Sequence, residues 1–359
     1  MKRKLDDTES QELKKSKIIN YEYFPLENQK DLKLNKDLSN PYYNHYEYAI
    51  TQLEDLLYLG KFYQTKNYDK SKNTNIPFYT IYRLKKPIEK LTQMIGLQNL
   101  KDEILSLIIF YLQRFDDGNQ DMLHTVVYGG PGVGKTKFIN ILADIYASLG
   151  VLPSKKVTFA KRADLVGQFL GQTAVKTKQL IEEAKGGILV IDEAYSLGDT
   201  EQRDSFSREC IDTLNQFLSE EKKELVCVIA GYKEDLEKRF FKTNPGLERR
   251  FPFKFTIPDY SPKELKEIFK AIVKENGWDI EPDALSEDLL KEHRDCFQFN
   301  GGDMETLFTK TKFIHSRRVF SCEKKKKKKI IKEDMEQAIK EFTNTSHQLE
   351  RKGRTDFMK

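Results

Sequence analysis

Apolar residues recur along the middle of the chain in short runs that are separated by longer amphipathic stretches. Five of these runs are rich in β-branched and aromatic residues: HTVVYGG at 124, KVTFAK at 156, GGILVIDEA at 186, ELVCVIAGY at 224 and FPFKFTI at 251. Short apolar runs that alternate with helical patterns are typical of parallel strands joined by crossover helices. The pattern therefore predicts an α/β fold in which helices flank a parallel five-stranded sheet.

The pattern is different on the N-terminal side of the predicted sheet. Residues 21–88 are rich in tyrosine, and Asn40-Pro41 followed by apolar positions at helical spacing predicts a helix that ends at Gly60. Its apolar stripe consists of Tyr42, Tyr46, Ile50, Leu53 and Leu57. Such a stripe is typical of core packing, and the alternative is a face that binds a partner.

On the C-terminal side, strand patterns largely stop after Ile257. Ser261 followed by Pro262 is a capping sequence that predicts the start of a helix, and the pattern stays helical to about Phe342. A second, smaller and helical domain is therefore expected after the sheet.

Composition excludes fewer classes of protein than the pattern of apolar positions does. The chain has 359 residues and a formal net charge of +5, which is too weakly basic for a dedicated nucleic-acid binder. No CxxC or HExxH spacing occurs, so neither a disulfide framework nor a zinc site is predicted from the cysteines, which are Cys210, Cys227, Cys296 and Cys322. No apolar run approaches the roughly 20 residues of a membrane helix, and we expect no membrane contact.

Two clusters of basic residues near the N-terminus give a prediction of where in the cell the protein is found. Residues 1–20 are almost free of apolar side chains, which predicts a disordered tail. Its clusters Lys2 to Lys4 and Lys14 to Lys17 resemble a bipartite nuclear-import signal, and a merely solvated tail is the alternative. Without a signal-peptide core, the protein is expected to be intracellular, cytoplasmic or nuclear. The run Lys324 to Lys329 is interpreted as a solvated loop, or else as a contact for an acidic partner or nucleic acid.

A nucleotide motif follows the first predicted strand directly. The segment GGPGVGKT satisfies the pattern GxxxxGK[ST] between a strand and a helix. Its glycines let successive N–H groups face phosphates, Lys135 neutralises the β and γ phosphates, and Thr136 places a hydroxyl on magnesium. ATP and Mg²⁺ are the expected ligands, and the candidate nucleotide-binding residues are Gly129, Gly130, Pro131, Gly132, Val133, Gly134, Lys135 and Thr136.

A pair of carboxylates ends the third predicted strand. In ILVIDEA, Asp192 and Glu193 lie at the carboxyl end of a buried strand, where open α/β sheets bind their ligands. Asp192 is expected to hold the magnesium ion through water. Glu193, whose side chain should point the other way, is expected to act as general base on the attacking water. A purely structural role is the alternative for both.

Seven motifs of the chain stand in the order of one protein family: MIGLQNLKDEI, GGPGVGKT, DLVGQFLGQTAVKT, GILVIDEAYSL, CIDTLNQFL, VIAGYKEDL and NPGLERRFP. Together they resemble the AAA+ ATPases, a group of P-loop NTPases, and within them the CbxX/CfqX branch, which is related to the sporulation protein SpoVK. The resemblance covers roughly residues 89–318. It implies Mg²⁺-dependent hydrolysis of ATP to ADP and phosphate by an AAA+ module with a helical lid domain.

The resemblance also implies a homo-oligomeric ring, a hexamer, whose central pore is lined by a loop that grips a polypeptide. The matching residues are Phe169, Leu170 and Gly171, where the family often has tyrosine in the place of Phe169. An aromatic ring grips varied side chains because dispersion and area burial need no particular sequence. A ring packed under its own domain is the alternative.

Three further positions follow from the same resemblance. In NPGLERRFP, Arg250 matches the arginine finger that enters a neighbouring subunit's site, with Arg249 as the lesser candidate. The polar sensor-one position falls at Tyr232. The arginine of sensor two is replaced by Gly302 within FNGGDMETLF, which would weaken the link between the γ phosphate and the lid.

These observations divide the chain into five parts: a disordered basic tail at 1–20, a tyrosine-rich helical region at 21–88, the AAA+ nucleotide-binding domain at 89–256, a helical lid domain at 257–345 and a tail at 346–359.

Three functions remain open at this point. The leading one is an ATP-driven remodeller of a protein target. A nucleic-acid motor or loader is the first alternative, although the pore segment has little positive charge beyond Lys161, Arg162, Lys176 and Lys178. The second alternative is an assembly protein that binds ATP with little turnover, which Gly302 favours. The absence of an NKxD motif after the phosphate-binding segment argues against a GTPase.

Overall fold

The computed structural model describes residues 50–64, 77–115, 122–169, 171–198, 204–220, 225–320 and 328–356. Three helices precede the sheet: α1 (Leu53–Phe62), α2 (Phe78–Thr92) and α3 (Gln98–Leu112). The basic tail and the predicted helix start at Asn40-Pro41, with Tyr42 and Tyr46, lie outside the described residues.

The predicted end of α1 at Gly60 is wrong, because the helix continues to Phe62. Gly60 serves a different purpose. A Cβ at this position would lie 3.3 Å from the backbone oxygen of Ile81 in α2. The glycine therefore allows α1 and α2 to pack closely and does not end the helix.

Five parallel strands form the sheet in the order β2-β3-β4-β1-β5. The strands are β1 (Thr125–Gly129), β2 (Val157–Ala160), β3 (Ile188–Asp192), β4 (Val226–Gly231) and β5 (Phe253–Ile257). This sheet and its flanking helices confirm the predicted fold class.

Helical segments connect the strands, as right-handed parallel crossovers require. They are α4 (Lys135–Leu149), α5 (Arg162–Leu165), α6 (Gln172–Ala184), a 3₁₀ turn at Ala194–Leu197, α7 (Ser205–Glu220), α8 (Lys233–Asp235), a π-helical turn at Leu236–Phe240, α9 (Phe241–Thr243) and α10 (Pro245–Glu248).

Alternate residues of the three central strands, β3, β4 and β1, face two different hydrophobic cores. In β3, Ile188 and Val190 belong to one buried cluster, whereas Leu189 and Ile191 belong to the other. The first cluster includes buried residues of α1 to α4 and of the helices after β5, and the second includes residues of α6 and α7. The helices before the sheet thus share a core with α4, the helix that begins at Lys135.

The part after β5 is mainly helical, as the sequence predicts. It contains α11 (Pro262–Glu275), α12 (Glu287–Glu292), a 3₁₀ turn at Arg294–Cys296, α13 (Gly301–Arg318) and α14 (Lys332–Asp356). Ser261 caps α11, since its hydroxyl accepts from the Glu264 amide while the Glu264 carboxylate accepts from the Ser261 amide.

The helical pattern missed one feature of this part. Residues Asp279–Ile280 (β6) and Lys329–Ile330 (β7) form a two-stranded parallel pair. Two residues are too short for a periodic signal, so the pattern gives no strand there. The last residue of the lysine run, Lys329, lies in β7, and residues 324–327 of that run lie outside the described part. Over the described residues, no helix has the length and apolar character needed to cross a membrane.

Candidate functional site

The predicted nucleotide residues gather at the carboxyl edge of the sheet. In the strand register Asp192 pairs with Ala230, and Tyr128 pairs with Gly231. The carboxyl ends of β3, β4 and β1 therefore lie side by side. Asp192 is the last residue of β3, Tyr232 directly follows β4, and Lys135 lies in the segment that follows β1. This edge is where parallel α/β sheets bind ligands.

The loop Gly129–Thr136, called the phosphate loop below, joins β1 to α4. Gly132 (φ +70°) and Gly134 (φ +95°) are in the left-handed region, which glycine adopts without strain. The last two residues of the loop, Lys135 and Thr136, are the first two residues of α4, a helix of 15 residues. Its curl leaves backbone N–H groups at a helix N-terminus, where the positive end of the helix dipole favours anions.

Lys135 lies over this loop. Its Nζ donates to the carbonyl oxygens of Gly129 at 3.0 Å and Gly130 at 2.7 Å. Burial lowers the pKa of the Lys135 ammonium, and the carboxylates of Asp192 and Glu193 oppose that shift. The ammonium is therefore partly desolvated and close to two negative charges.

Glu193 has an unusual backbone for a residue that is not glycine. Its φ is +52°, and its amide donates to Asp192 Oδ1 at 3.1 Å. Left-handed backbone at a bulky residue costs free energy and occurs where the surrounding structure enforces it, often at functional sites. The side chain of Glu193 is exposed and that of Asp192 is half-buried.

Two tyrosine rings border the same site. The ring centroid of Tyr232 lies 5.8 Å from Lys135 Nζ and 6.1 Å from the ring centroid of Tyr195. Burial, and next the charge of Glu193, raise the pKa of Tyr195. An aromatic face next to the Lys135 ammonium is a favourable cation–π partner.

The side chains at this edge fit a magnesium ion. Mg²⁺ prefers oxygen ligands and is commonly held by one or two protein oxygens together with phosphate oxygens and water. Thr136, the second residue of α4, supplies a hydroxyl, and Asp192 supplies a carboxylate at the end of β3. No group of three or more metal-binding His, Cys, Asp or Glu side chains occurs among the described residues.

The helices after β5 approach the phosphate loop closely, and the motifs gave no indication of this contact. The Tyr260 hydroxyl donates to the Val133 carbonyl at 2.9 Å, and the Gly301 amide donates to the Gly132 carbonyl at 3.1 Å. Asn300 Nδ2 lies 3.4 Å from the Pro131 carbonyl.

Gly302, the position that matches the sensor-two arginine, is next to this contact. A Cβ there would meet only the Cβ of Phe299 at 3.9 Å, so a side chain would fit. The residue is half-buried at the start of α13. Position 302 itself thus supplies no side chain and no cation to the site.

A second glycine-containing loop, Gly167–Gly171, is called the aromatic loop below. The side chain of Phe169 is 67% exposed, which is high for a large apolar ring, and Leu170 lies outside the described residues. Gly171 (φ +81°) precedes α6. The Gly167 amide donates to Thr173 Oγ1 at 3.0 Å, which fixes the beginning of the loop.

Arg162 contacts the turn that follows Glu193. It begins α5, which leads into the aromatic loop. Its guanidinium donates to the Ser196 carbonyl at 2.8 Å, to the Ser207 hydroxyl and to the Asp204 carboxylate. Ser196 is three residues after Glu193, and its amide donates to the Glu193 carbonyl at 2.8 Å. Arg162 thus joins the beginning of α5, the helix before the aromatic loop, to the turn that follows Asp192 and Glu193.

Arg249 and Arg250 lie away from this edge. They precede β5, and in the register Phe253 at the start of β5 pairs with Thr125 at the start of β1. The arginine segment therefore enters the sheet at the edge opposite the phosphate loop. Arg250 donates to the Gly246 carbonyl at 2.7 Å, and Arg249 is exposed.

Comparison with known proteins agrees with this geometry. A family model described as "ATPase family associated with various cellular activities (AAA)" matches residues 125–259. A cfxQ-like protein, R730, of Acanthamoeba polyphaga mimivirus is 40% identical over 270 residues, which are 74% of this chain and 66% of that protein. Stage V sporulation protein K of Bacillus subtilis is 36% identical over 206 residues, 55% of this chain and 63% of the relative.

A third relative is the chloroplastic ribulose bisphosphate carboxylase/oxygenase activase of Cyanidioschyzon merolae. It is 37% identical over 198 residues, 54% of this chain and 67% of the relative. The chain thus spans slightly less than two thirds of the first two relatives and about two thirds of the third. The family suggested by the seven motifs is confirmed: the chain belongs to the AAA ATPases and, within them, to the proteins of the CbxX/CfqX type.

Proposed function

We propose that this protein is a Mg²⁺-dependent ATPase that works as a homo-oligomeric ring and remodels a protein target by pulling on a flexible segment. The observation that carries the proposal is the exposed Phe169 ring, on a loop that follows α5, whose first residue Arg162 donates to the Ser196 carbonyl three residues after Glu193. A nucleotide-dependent change near Glu193 has a short mechanical route to that ring.

The chemistry at the carboxyl edge follows from the charges there. Lys135 and the amides of the phosphate loop neutralise phosphate charge, and Thr136 and Asp192 hold the magnesium ion. Glu193, exposed and beside Asp192, accepts a proton from the attacking water as general base. When bound between Thr136 and Asp192, Mg²⁺ would lower the cost of charge that develops on the phosphate oxygens.

The position of Arg250 supports the proposal of a ring. Because Arg249 and Arg250 enter the sheet at the edge opposite their own phosphate loop, a γ phosphate that Arg250 stabilises belongs to another copy of the chain. An arginine supplied to a related NTPase site from outside contributes about 10³ to 10⁵ in rate. A closed head-to-tail ring gives each copy such a neighbour, and we propose six copies.

The target is proposed to be a protein. One relative is named as the activase of an enzyme, so the object in that name is a protein. Phe169 suits the same task here, because an exposed ring contacts any polypeptide through dispersion and area burial. The helices after β5 act in this scheme as the lid over the nucleotide.

The first experiment measures ATP hydrolysis per subunit as a function of protein concentration, with Glu193→Gln as the blank. Specific activity should rise with concentration, because the site is complete only when a neighbour supplies Arg250. Activity that equals the blank at every concentration would contradict the ATPase and favour the alternative of an assembly protein. The missing side chain at Gly302 is the observation that supports that alternative.

The second experiment adds fluorescein-labelled casein, an unfolded polypeptide, and compares Phe169→Ala with Phe313→Ala. Phe313 is a matched control, since its ring is 69% exposed on α13. Phe169→Ala should keep basal hydrolysis and lose stimulation by casein, whereas Phe313→Ala should keep both. Equal behaviour of the two variants would argue against the aromatic loop as the gripping element.

A further inference from the structure

Three successive carbonyl groups of the phosphate loop accept hydrogen bonds from the segments after β5. The Pro131 carbonyl lies 3.4 Å from Asn300 Nδ2, and the Gly132 carbonyl accepts from the Gly301 amide at 3.1 Å. The Val133 carbonyl accepts from the Tyr260 hydroxyl at 2.9 Å. The loop is thus contacted along its carbonyl side by residues more than 120 positions later in the chain.

Planarity of the peptide bond gives these contacts a consequence for the opposite side of the loop. In a trans peptide the C=O and the following N–H point in opposite directions. Fixing the carbonyls of Pro131, Gly132 and Val133 therefore fixes the N–H groups of Gly132, Val133 and Gly134. Those N–H groups belong to the face of the loop that cradles phosphate.

The donors are themselves held firmly. Asn300 is fully buried with φ +49°, and its Oδ1 accepts from the Tyr260 amide at 3.1 Å while its Nδ2 donates to Asp259 Oδ1 at 2.9 Å. Asp259 and Tyr260 lie in the connection between β5 and α11. A strained asparagine persists only where its surroundings determine its conformation.

Three groups of Tyr260 form hydrogen bonds: its hydroxyl, its amide and its carbonyl. Besides its hydroxyl and amide contacts, its carbonyl accepts from Arg294 at 3.3 Å. Burial, followed by the charge of Glu264, raises the pKa of the Tyr260 hydroxyl to about 12, so the phenol keeps its proton and remains a donor at neutral pH.

We propose that Tyr260 and Asn300 are positioning residues that hold the phosphate loop in its binding conformation through its carbonyls. The position of the C-terminal helices then affects nucleotide affinity without any cation at position 302. Because coupling between two equilibria is reciprocal, bound nucleotide also strengthens the docking of these helices. The inference rests on the proposed nucleotide site and is independent of the ring and the pore.

The test measures the affinity of the fluorescent nucleotide mant-ADP for the full chain and for Tyr260→Phe, with Tyr128→Phe as the matched control. Both substitutions remove one buried hydroxyl, and among the described residues that of Tyr128 has no hydrogen-bond partner. Loss of one net hydrogen bond should weaken binding to Tyr260→Phe by about 3- to 10-fold. Tyr128→Phe should bind as the unaltered chain does.

Asn300→Gly is the second variant, because glycine accepts the positive φ and only the side-chain amide is lost. It should also bind mant-ADP more weakly. The ADP-dependent change in amide hydrogen exchange is a second readout, because destabilisation speeds exchange with and without ADP. ADP should slow exchange at Gly301 in the unaltered chain, and less so in Tyr260→Phe.

The experiment distinguishes failure of this inference from failure of the proposed nucleotide site. Equal mant-ADP affinity of Tyr260→Phe and the unaltered chain would overturn the inference, even if the variant unfolds at a lower temperature. Failure of the unaltered chain to bind mant-ADP would overturn the proposed nucleotide site instead.

Discussion

The phosphate loop and the aromatic loop have the same local design and different surroundings. Each contains a left-handed glycine that immediately precedes a helix, Gly134 before α4 and Gly171 before α6. A Cβ on Gly134 would lie 3.6 Å from Met94 and 3.9 Å from the Tyr260 hydroxyl, whereas a Cβ on Gly171 would meet nothing within 4 Å. One loop is enclosed by distant segments of the chain, and the other projects from it.

This difference teaches what the surroundings add to a local motif. A loop that must present several N–H groups to a small anion needs external contacts that fix each peptide unit. A loop that grips varied polypeptides needs an accessible ring and freedom to move. The same backbone conformation therefore serves binding in one place and, as we propose, contact with a target in the other.

The largest expected effect comes from adding one methyl group to the phosphate loop, and the same change in the aromatic loop is its control. In Gly132→Ala the Cβ would lie 1.9 Å from the Phe299 carbonyl oxygen at φ +70°, so the backbone must shift. We expect at least about a 10-fold loss of nucleotide affinity, measured with mant-ADP, and several degrees of lost thermal stability.

Gly171→Ala is the counterpart, since its φ of +81° is strained but its space is open. It should cost about 1 kcal/mol of stability and leave mant-ADP affinity unchanged. If both variants lost affinity equally, the contrast between an enclosed and an open loop would be wrong.

A smaller effect is expected from Arg162→Ala, which removes the arginine that joins the start of α5 to the turn after Glu193. The loss of donors to Ser196, Ser207 and Asp204 should lower the free energy of unfolding by about 1 to 2 kcal/mol, as measured by urea denaturation. Nucleotide affinity should persist, and stimulation of hydrolysis by casein should fall.

Arg162→Lys is the control for this prediction. A single ammonium cannot reproduce the forked geometry, so lysine should restore little of the stability or the stimulation. Full recovery with lysine would show that the charge alone, and not the forked guanidinium, is responsible for both effects.

The smallest effect concerns acid stability at the same arginine. Burial opposes ionisation of Asp204, but hydrogen bonds from Arg162 and Ser207 hold the pKa of Asp204 down to about 2. Because the folded pKa is below the unfolded one, this contribution is complete above a pH of about 4 and is lost as the pH falls towards 2. The ion pair is partly exposed, so less than about 1 kcal/mol is involved.

Acid unfolding of Asp204→Asn and of the unaltered chain checks this prediction. The stability difference between them should shrink as the pH falls from about 4 to about 2. A difference that stays constant over this range would mean that Asp204 does not titrate as a partner of Arg162.

The sequence predicted what depends on local pattern. The five strands were visible as separate apolar runs, and the segment around Lys135 was visible because its glycines, lysine and threonine are consecutive. The strand order was not predictable, since it depends on pairings such as Thr125 with Val228 that no local window contains.

The contacts of Asn300 escaped prediction for the same reason. Its contact with Pro131 spans 169 positions, and an asparagine before two glycines is typical of any turn. Gly60 was misinterpreted because a glycine in a helical pattern indicates either an end or a close approach, and only the position of Ile81 decides between them.

The buried Asn300 also bears on how the protein ages chemically. An asparagine before glycine loses its side-chain amide most readily, because the next backbone nitrogen attacks the side-chain carbon with little hindrance. The chain has two such pairs, Asn276-Gly277, which is exposed at the end of α11, and Asn300-Gly301. At the second pair, the Gly132 carbonyl holds the Gly301 N–H. Isoaspartate should therefore accumulate first at Asn276. The slower rate at which it forms at Asn300 would then measure how often the C-terminal helices separate from the phosphate loop.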